Sequence, residues 1–314
     1  MPLVDQQVLR PLVSVITPSL NQAEFVTQTI ESVLSQNYSP LEYWVIDGGS
    51  TDGTLEILHR YRDRLHWISE PDGGQAAAIN KGWRLTRGEI IAYLNADDTY
   101  LPSAIERVVD YLNAHPQVDA VYGDCDYVDE QGKFLRAYPT RPYHYSELVH
   151  ATLDYIPQPS MFIRRRAAKK IGYLDETLSC AMDFDCWLRL GKHYTIAYLP
   201  ERLSTLRLHP AAKSLKHLNR FASELIRVYH NLFAFPDLPQ PIRRLRRQAL
   251  SNIYYRASSC AFWGGDHWSA CRYALIGWGY APLNLRRQFF LAMSGNAGRR
   301  LVEKWRGNPY LLGA

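Results

Sequence analysis

The chain has 314 residues and 46% hydrophobic content, enough to bury a full core and too long for one minimal domain. Its formal charge of +5, from 36 basic and 31 acidic side chains, makes no demand for a nucleic-acid partner, and none is expected. Five cysteines, an odd number with no CxxC pair and no histidine at zinc-finger spacing, exclude a sequence-legible zinc module and fit a reduced, cytoplasmic protein.

The first predicted element is the β-rich run Leu12 to Thr17, closed by Pro18, which cannot donate to a ladder. A helix follows, with Asn21 as its cap and Phe25, Ile30, Val33 and Leu34 as its apolar stripe. Leu41 to Ile46 reads as a second buried strand, ending in the small polar stretch Asp47 to Thr54, where Gly48, Gly49 and Gly53 permit a tight turn. Asp52 is placed to cap the next helix, through Leu55, Ile57 and Leu58. The alternation continues with strand 65–69, helix 75–85, strand 89–94, helix 101–115 and strand 118–122. Such regular alternation with short links implies right-handed crossovers, hence an α/β fold with a mainly parallel sheet sandwiched by helices. Ligands of such sheets sit beyond the carboxyl ends of the strands, which is where Thr17, Asp47 and Asn95-Ala96-Asp97-Asp98 fall.

From about Arg220 the pattern changes to long helices rich in Tyr, Trp and Arg, so residues 216–314 are expected to form an all-helical C-terminal region beside a domain spanning 1–215. There, Tyr254-Tyr255, Gly264-Gly265-Asp266 and Ala270 with Tyr273 read as two packed helices joined by a Gly-Asp turn, similar to one tetratricopeptide unit. Most of the excess positive charge also lies here, in Arg243, Arg244, Arg246, Arg247, Arg286, Arg287, Arg299 and Arg300. Met1 to Arg10 shows no signal-like pattern, and no run approaches the roughly eighteen apolar residues of a membrane span. Interleaved with Trp263, Trp268, Trp278, Tyr280 and Phe289-Phe290, the arginines suit either peripheral contact with the inner membrane face or a solvated helical cap.

The strongest chemical signal is Tyr93-Leu94-Asn95-Ala96-Asp97-Asp98. Adjacent carboxylates at a strand end are costly to desolvate unless a cation compensates, and a hard divalent ion, Mn2+ or Mg2+, suits them. A helix cap before Pro102 would account for one aspartate but not for two.

Val13 to Ser19, Ile46 to Thr54, Asp72-Gly73-Gly74-Gln75 with Asn80-Lys81-Gly82, and Asn95 to Asp98 together resemble family 2 glycosyltransferases of the GT-A fold, in the family's order and spacing. The resemblance covers roughly residues 11 to 210. It implies that Thr17, Pro18 and Ser19 line a nucleoside pocket, that Asp47 accepts a hydrogen bond from the base, that Asp72 touches the donor, that Asp97 approaches the ribose or diphosphate, and that Asp98 ligates the metal. Asn95 stands where the family often has Asp, which removes one charge from the donor site. Lys81 either pairs with the diphosphate or is simply solvated. Asp47 also suits a turn before Gly48.

The segment Ala181 to Leu190 resembles the family's acidic motif, whose aspartate is the catalytic base. The family commonly has Glu where this chain has Met182, so the role falls to Asp183, at the start of a helix turning Phe184, Trp187, Leu188 and Leu190 inward. An aspartate there is also a plain N-cap, and Asp185 reads as structural. Arg207-Leu208-His209 with Ser214 resembles an element whose histidine meets the metal or diphosphate, so His209 is a second candidate ligand or else a surface residue. Gln158-Pro159-Ser160 resembles the acceptor-side segment.

The implied function is an inverting glycosyltransferase that moves a sugar from a nucleotide diphosphate donor, with a UDP-sugar expected, to a hydroxyl of a glycan or lipid-linked acceptor. Two rivals stand beside it. A nucleotidyltransferase would show a glycine-rich, basic phosphate loop after the first strand, and Pro18-Ser19-Leu20-Asn21-Gln22 has neither property. A non-catalytic sugar-nucleotide-binding or scaffold protein would use the helical tail as its working part.

Overall fold

The computed structural model describes residues 10–150, 154–210 and 212–282. In chain order the elements are β1 (Val13–Ser19), α1 (Val26–Leu34), β2 (Leu41–Asp47), α2 (Thr54–Arg60), β3 (His66–Ser69), α3 (Gln75–Leu85), β4 (Ile90–Tyr93), β5 (Thr99–Tyr100), α4 (Ala104–Ala114) and β6 (Ala120–Val128). They continue with β7 (Phe134–Ala137), α5 (Tyr145–His150), a 3-10 turn (Gln158–Ser160), β8 (Met161–Arg164), α6 (Arg165–Lys170), α7 (Met182–His193) and β9 (Ile196–Arg207). Last come α8 (Lys213–Lys216), α9 (Leu218–Ala234), α10 (Gln240–Arg244), α11 (Arg246–Trp263) and α12 (His267–Tyr280). Arg286, Arg287, Arg299, Arg300 and Phe289-Phe290 lie outside the described residues, as does the side chain of Ser214.

The chain divides into two compact units that interleave in sequence. Of the described residues, the first holds 10–126, 156–174 and 194–206, and the second holds 127–150, 154–155, 175–193, 207–210 and 212–282.

The first unit is built on a sheet with strand order β3-β2-β1-β4-β8-β6-β9-β5. β1 pairs in parallel with β2 and β4, and β2 with β3, as the strand–helix alternation implied. β8 is antiparallel to both β4 and β6, so those two run in one direction, and β5 is antiparallel to β9. β1 is buried along its whole length, so the hydroxyls of Ser14, Thr17 and Ser19 lie in the interior beside Val13, Val15 and Ile16. Pro18 does not close it, contrary to expectation. β4 leaves β1 after Ile16, so the last three residues of β1 have only β2 as a neighbour, and a proline without an N–H is tolerated at such a half-paired position.

One face of the sheet, with Val13, Val15, Val45, Ile90 and Ala92, packs under Ile30 and Val33 of α1, Leu58 of α2, and Val108 and Leu112 of α4. On the opposite face α3 lies against β1 so closely that a Cβ on Gly82 would stand 2.7 Å from Ile16 side-chain atoms. Asn80 brackets Leu174 with both of its amide atoms, at 2.9 and 3.1 Å. Two residues of the Asn80-Lys81-Gly82 motif are therefore packing devices.

Asn21 does not cap α1, a second departure from expectation. It adopts a left-handed φ of 53°, accepts the Thr51 amide at 2.8 Å and donates its own amide to Ser50 Oγ at 2.7 Å, bracing the glycine-rich turn instead. Asp52 accepts Thr54 N at 3.1 Å just before α2 but does not cap it, because the residue at the cap is Gly53, which has no side chain to do so.

In the second unit α11 is packed by both α9 and α12. The expected Gly-Asp turn joins α11 to α12, with Gly265 at φ 83° and Asp266 capping through Ser269 N at 3.0 Å. A Cβ on Gly277 would lie 3.2 Å from Ser251 O and Tyr254 Cβ, so the two helices touch backbone to backbone. α7 turns Phe184, Trp187, Leu188 and Leu190 inward, as its pattern required.

Candidate active site

The first unit gathers most of the candidate donor-binding residues at the carboxyl ends of β1, β2 and β4. Register sets this directly: Ser19 pairs with Asp47, and Leu94 N donates to Ile16 O at 2.9 Å, so the three strand ends lie side by side. Thr17 is fully buried, with its Oγ1 3.0 Å from Tyr43 OH. Ser19 is 5% exposed, and its buried Oγ has no hydrogen-bond partner in the structure. A buried hydroxyl without a partner costs free energy, and this one stands at the carboxyl end of β1.

Asp47 is fully buried and engaged by its own turn. Oδ2 accepts Gly49 N at 3.0 Å, Ser50 N at 2.9 Å and Ser69 Oγ at 2.7 Å, while Oδ1 accepts Ser50 Oγ at 2.5 Å. Both oxygens therefore hold the glycine-rich turn, and any bond to a base would be added to these. Asp72 lies beside that turn, 3.1 Å from where a Cβ on Gly48 would stand, and takes Gly74 N at 2.7 Å. Lys81 is not simply solvated, because its Nζ lies 2.6 Å from Glu70 Oε1 in a partly exposed ion pair.

Asn95 to Asp98 form a turn closed by Asp98 N on Asn95 O at 3.1 Å. Asp97 stays partly exposed, whereas Asp98 is 2% exposed. The Asn95 amide links its surroundings: Nδ2 donates to Asp98 Oδ2 at 3.2 Å and to Gln158 Oε1 at 3.0 Å, and Oδ1 accepts Gln75 Nε2 at 2.7 Å. Gln158 Nε2 in turn donates to Tyr93 O at 2.8 Å, which ties the acceptor-side segment to the end of β4. Among the described residues no three His, Cys, Asp or Glu side chains gather into a complete metal cage. Mg2+ and Mn2+ in nucleotide sites take only one or two carboxylates from the protein and fill the remaining positions with phosphate oxygens and water. A buried Asp98 at the turn, with Asp97 beside it in sequence, fits such a partial site.

Asp183 and His209 belong to the second unit. Asp183 sits in the first turn of α7 with Oδ1 accepting Phe184 N at 2.8 Å. The residue keeps intermediate exposure, but its carboxyl lies deep among protein atoms. Burial pushes its pKa above the ordinary carboxylate range, against the Phe184 amide and the positive charges of Arg256 and Lys213. A carboxylate with a raised pKa is a better proton acceptor near neutral pH. Asp185 is structural, held by Arg189 at 2.6 Å. His209 is buried, not a surface residue, and its carbonyl closes a turn with Ala212 N at 2.9 Å. Reasoning from sequence missed Gln75 as a support of Asn95 and missed Glu224 altogether. Gln75 closes the Asp72-Gly73-Gly74-Gln75 motif and could have been found, while Glu224 acts 44 residues from the loop it holds.

The family model described as "Glycosyl transferase family 2" matches residues 14–172, just over half of the chain. The chain belongs to glycosyl transferase family 2. Family membership makes it a glycosyltransferase and sets aside the nucleotidyltransferase and scaffold readings. An uncharacterized glycosyltransferase of Rickettsia prowazekii is 29% identical over 221 residues, covering 68% of this chain and 70% of its own length. Chondroitin synthase of Escherichia coli is 30% identical over 213 residues, which is 67% of this chain but 31% of that protein. Among solved structures, TarS 1-349 of S. aureus superposes with a TM-score of 0.63 at 17% identity, covering 95% of this chain and 92% of that one. A mannosyltransferase from Pyrobaculum calidifontis, in complex with GDP-Man and Mn2+, gives 0.63 at 20% identity and covers 97% and 82%. The likeness establishes the GT-A-like fold. Among the described residues no helix is long and apolar enough to cross a membrane.

Proposed function

We propose that this glycosyltransferase moves a sugar from a nucleoside diphosphate donor to a hydroxyl of a glycan or lipid-linked acceptor, with inversion. The observation that carries the reading is the buried Asp98 in a carboxylate turn at the end of β4, beside a strand end whose Ser19 hydroxyl lacks a partner. Thr17, Pro18 and Ser19 line the nucleoside pocket. Asp47 fixes the turn that faces the base and offers it a carboxylate edge, and Asp72 and Asp97 approach the donor. Lys81 reaches the diphosphate only by exchanging its Glu70 partner.

Asp98, with His209 as a second candidate, holds a divalent ion, Mn2+ or Mg2+. When bound, that ion stabilises the negative charge growing on the departing diphosphate. Asp183 takes the proton from the acceptor hydroxyl as its oxygen attacks the anomeric carbon. One base and one displacement give inversion, with no carboxylate nucleophile as in retaining glycosidases. General-base assistance is worth about two to four powers of ten in rate. A neighbour solved with UDP-GlcNAc and another with GDP-Man support a nucleoside diphosphate donor while leaving two bases in play, and the family resemblance favours uridine.

Peripheral contact with the inner membrane face would suit a lipid-linked acceptor. It is supported by α12, where Trp268, Leu275 and Trp278 are 80%, 70% and 50% exposed. Co-flotation with anionic but not zwitterionic liposomes, lost on truncation at residue 215, is the expected behaviour.

A panel of UDP- and GDP-sugars, read by nucleoside diphosphate release with and without acceptor and Mn2+, tests the main reading. Acceptor-dependent release from one donor is expected. Donor binding without release under any condition would contradict it.

A further inference from the structure

The segment that carries Asp183 is gripped by α9 from both sides. Glu224 of α9 is 5% exposed, and its carboxylate receives three consecutive amides of the loop entering α7. Ser179 N lies 2.9 Å from Oε1, Cys180 N 2.7 Å from Oε2, and Ala181 N 3.1 Å from Oε2. Arg220, one turn earlier on α9, donates Nε to Oε1 at 2.9 Å. Burial alone would raise the pKa of this carboxyl, but the amides and Arg220 outweigh it and hold the pKa below the ordinary range, so the acceptor is an anion. Ala181 is fixed at both ends of its backbone, because its carbonyl takes Asp185 N at 3.0 Å in the first turn of α7. On the far side of Asp183, the Phe184 ring stacks on Tyr229 of α9, with centroids 5.9 Å apart and planes 18° apart.

We propose that Glu224 is a positioning residue for Asp183, locking the 179–181 loop so that the base is presented in one orientation. This rests on the reading of Asp183 as the base. The arrangement gives the C-terminal helices a part in turnover, because α9 supplies both anchors. Positioning carries a large share of catalytic rate, and a misplacement of about 1 Å can cost on the order of 100-fold.

The test uses the full chain and four variants: Glu224→Ala, Glu224→Gln, Asp183→Asn, and Glu224→Ala combined with Asp183→Asn. Glu224→Ala should lower kcat by about 100-fold with donor KM and donor binding unchanged. Glu224→Gln, which keeps one carbonyl acceptor for the amides, should recover part of that loss. In the Asp183→Asn background Glu224→Ala should cost nothing more. The proposal is overturned if folded Glu224→Ala turns over like wild type, if donor binding falls in step with kcat, or if the two losses multiply. Should Glu224→Ala fail to fold, Glu224→Gln decides alone: reduced kcat at unchanged donor KM supports the role, and wild-type kcat removes it. An active Asp183→Asn would instead fell the base assignment, and this proposal with it. An inert Asp183→Asn beside a fully active Glu224→Ala would remove only Glu224.

Discussion

Asn95 donates its side-chain amide to Asp98 Oδ2 across 3.2 Å, and Gln75 holds the same amide from its oxygen side. A donor at this place steadies a buried carboxylate. Asn95→Asp would replace it with a second negative charge, and like charges in a buried site oppose each other's ionisation. The variant should melt at a lower temperature than wild type without metal and gain more on adding Mn2+. Thermal melts with and without MnCl2 measure both effects.

Ser19 should show opposite effects on stability and binding. Its buried hydroxyl has no partner, so Ser19→Ala removes a desolvation penalty and should raise stability by about 1 kcal/mol. If the hydroxyl serves the nucleotide, the same change weakens nucleoside diphosphate binding. Denaturant unfolding and calorimetric titration of the same variant check the two directions together.

Asp183 carries a sign that can be worked out. Its folded pKa is raised by burial, so the charged form destabilises the folded protein at neutral pH. Asp183→Asn should therefore be more stable than wild type above the folded pKa. The difference should shrink as pH falls through that pKa and vanish below the unfolded value. Paired unfolding curves across the acid range read it, and the acid limb of wild-type kcat should lie above the ordinary carboxylate range.

Gly82 tests the packing of α3 on the sheet. Alanine is intrinsically better than glycine in a helix by about 1 kcal/mol. Here its Cβ would stand 2.7 Å from two atoms of the fully buried Ile16, and overpacking of this kind costs about 1–3 kcal/mol. Gly82→Ala should lower the denaturation midpoint with little change in m-value.

What the sequence disclosed and what it hid divide along a physical line. β1 to β4 and α1 to α4 were legible because each element carries its own period and its own turn chemistry, and the carboxylate turn at Asn95 to Asp98 falls at a strand end that those periods locate. β5, β8 and β9 were not, since each pairs antiparallel with a strand distant in sequence, and a strand–helix alternation gives no sign of such pairing. Pro18 and Asn21 misled because their local preferences were overridden by a departing neighbour strand and by the Ser50-Thr51 turn. Lys81 could be named from its motif, but Glu70 as its partner is a tertiary fact. Glu224 gave no signal at all, because a glutamate on an amphipathic helix looks the same whether it meets water or three amides.

The most direct measurement is sugar transfer by Asp183→Asn against wild type, read as acceptor-dependent nucleoside diphosphate release, with donor affinity measured on the same preparations. Unchanged donor affinity with transfer reduced by at least about two powers of ten is the expected result. Near wild-type transfer by the variant would show that another group takes the proton.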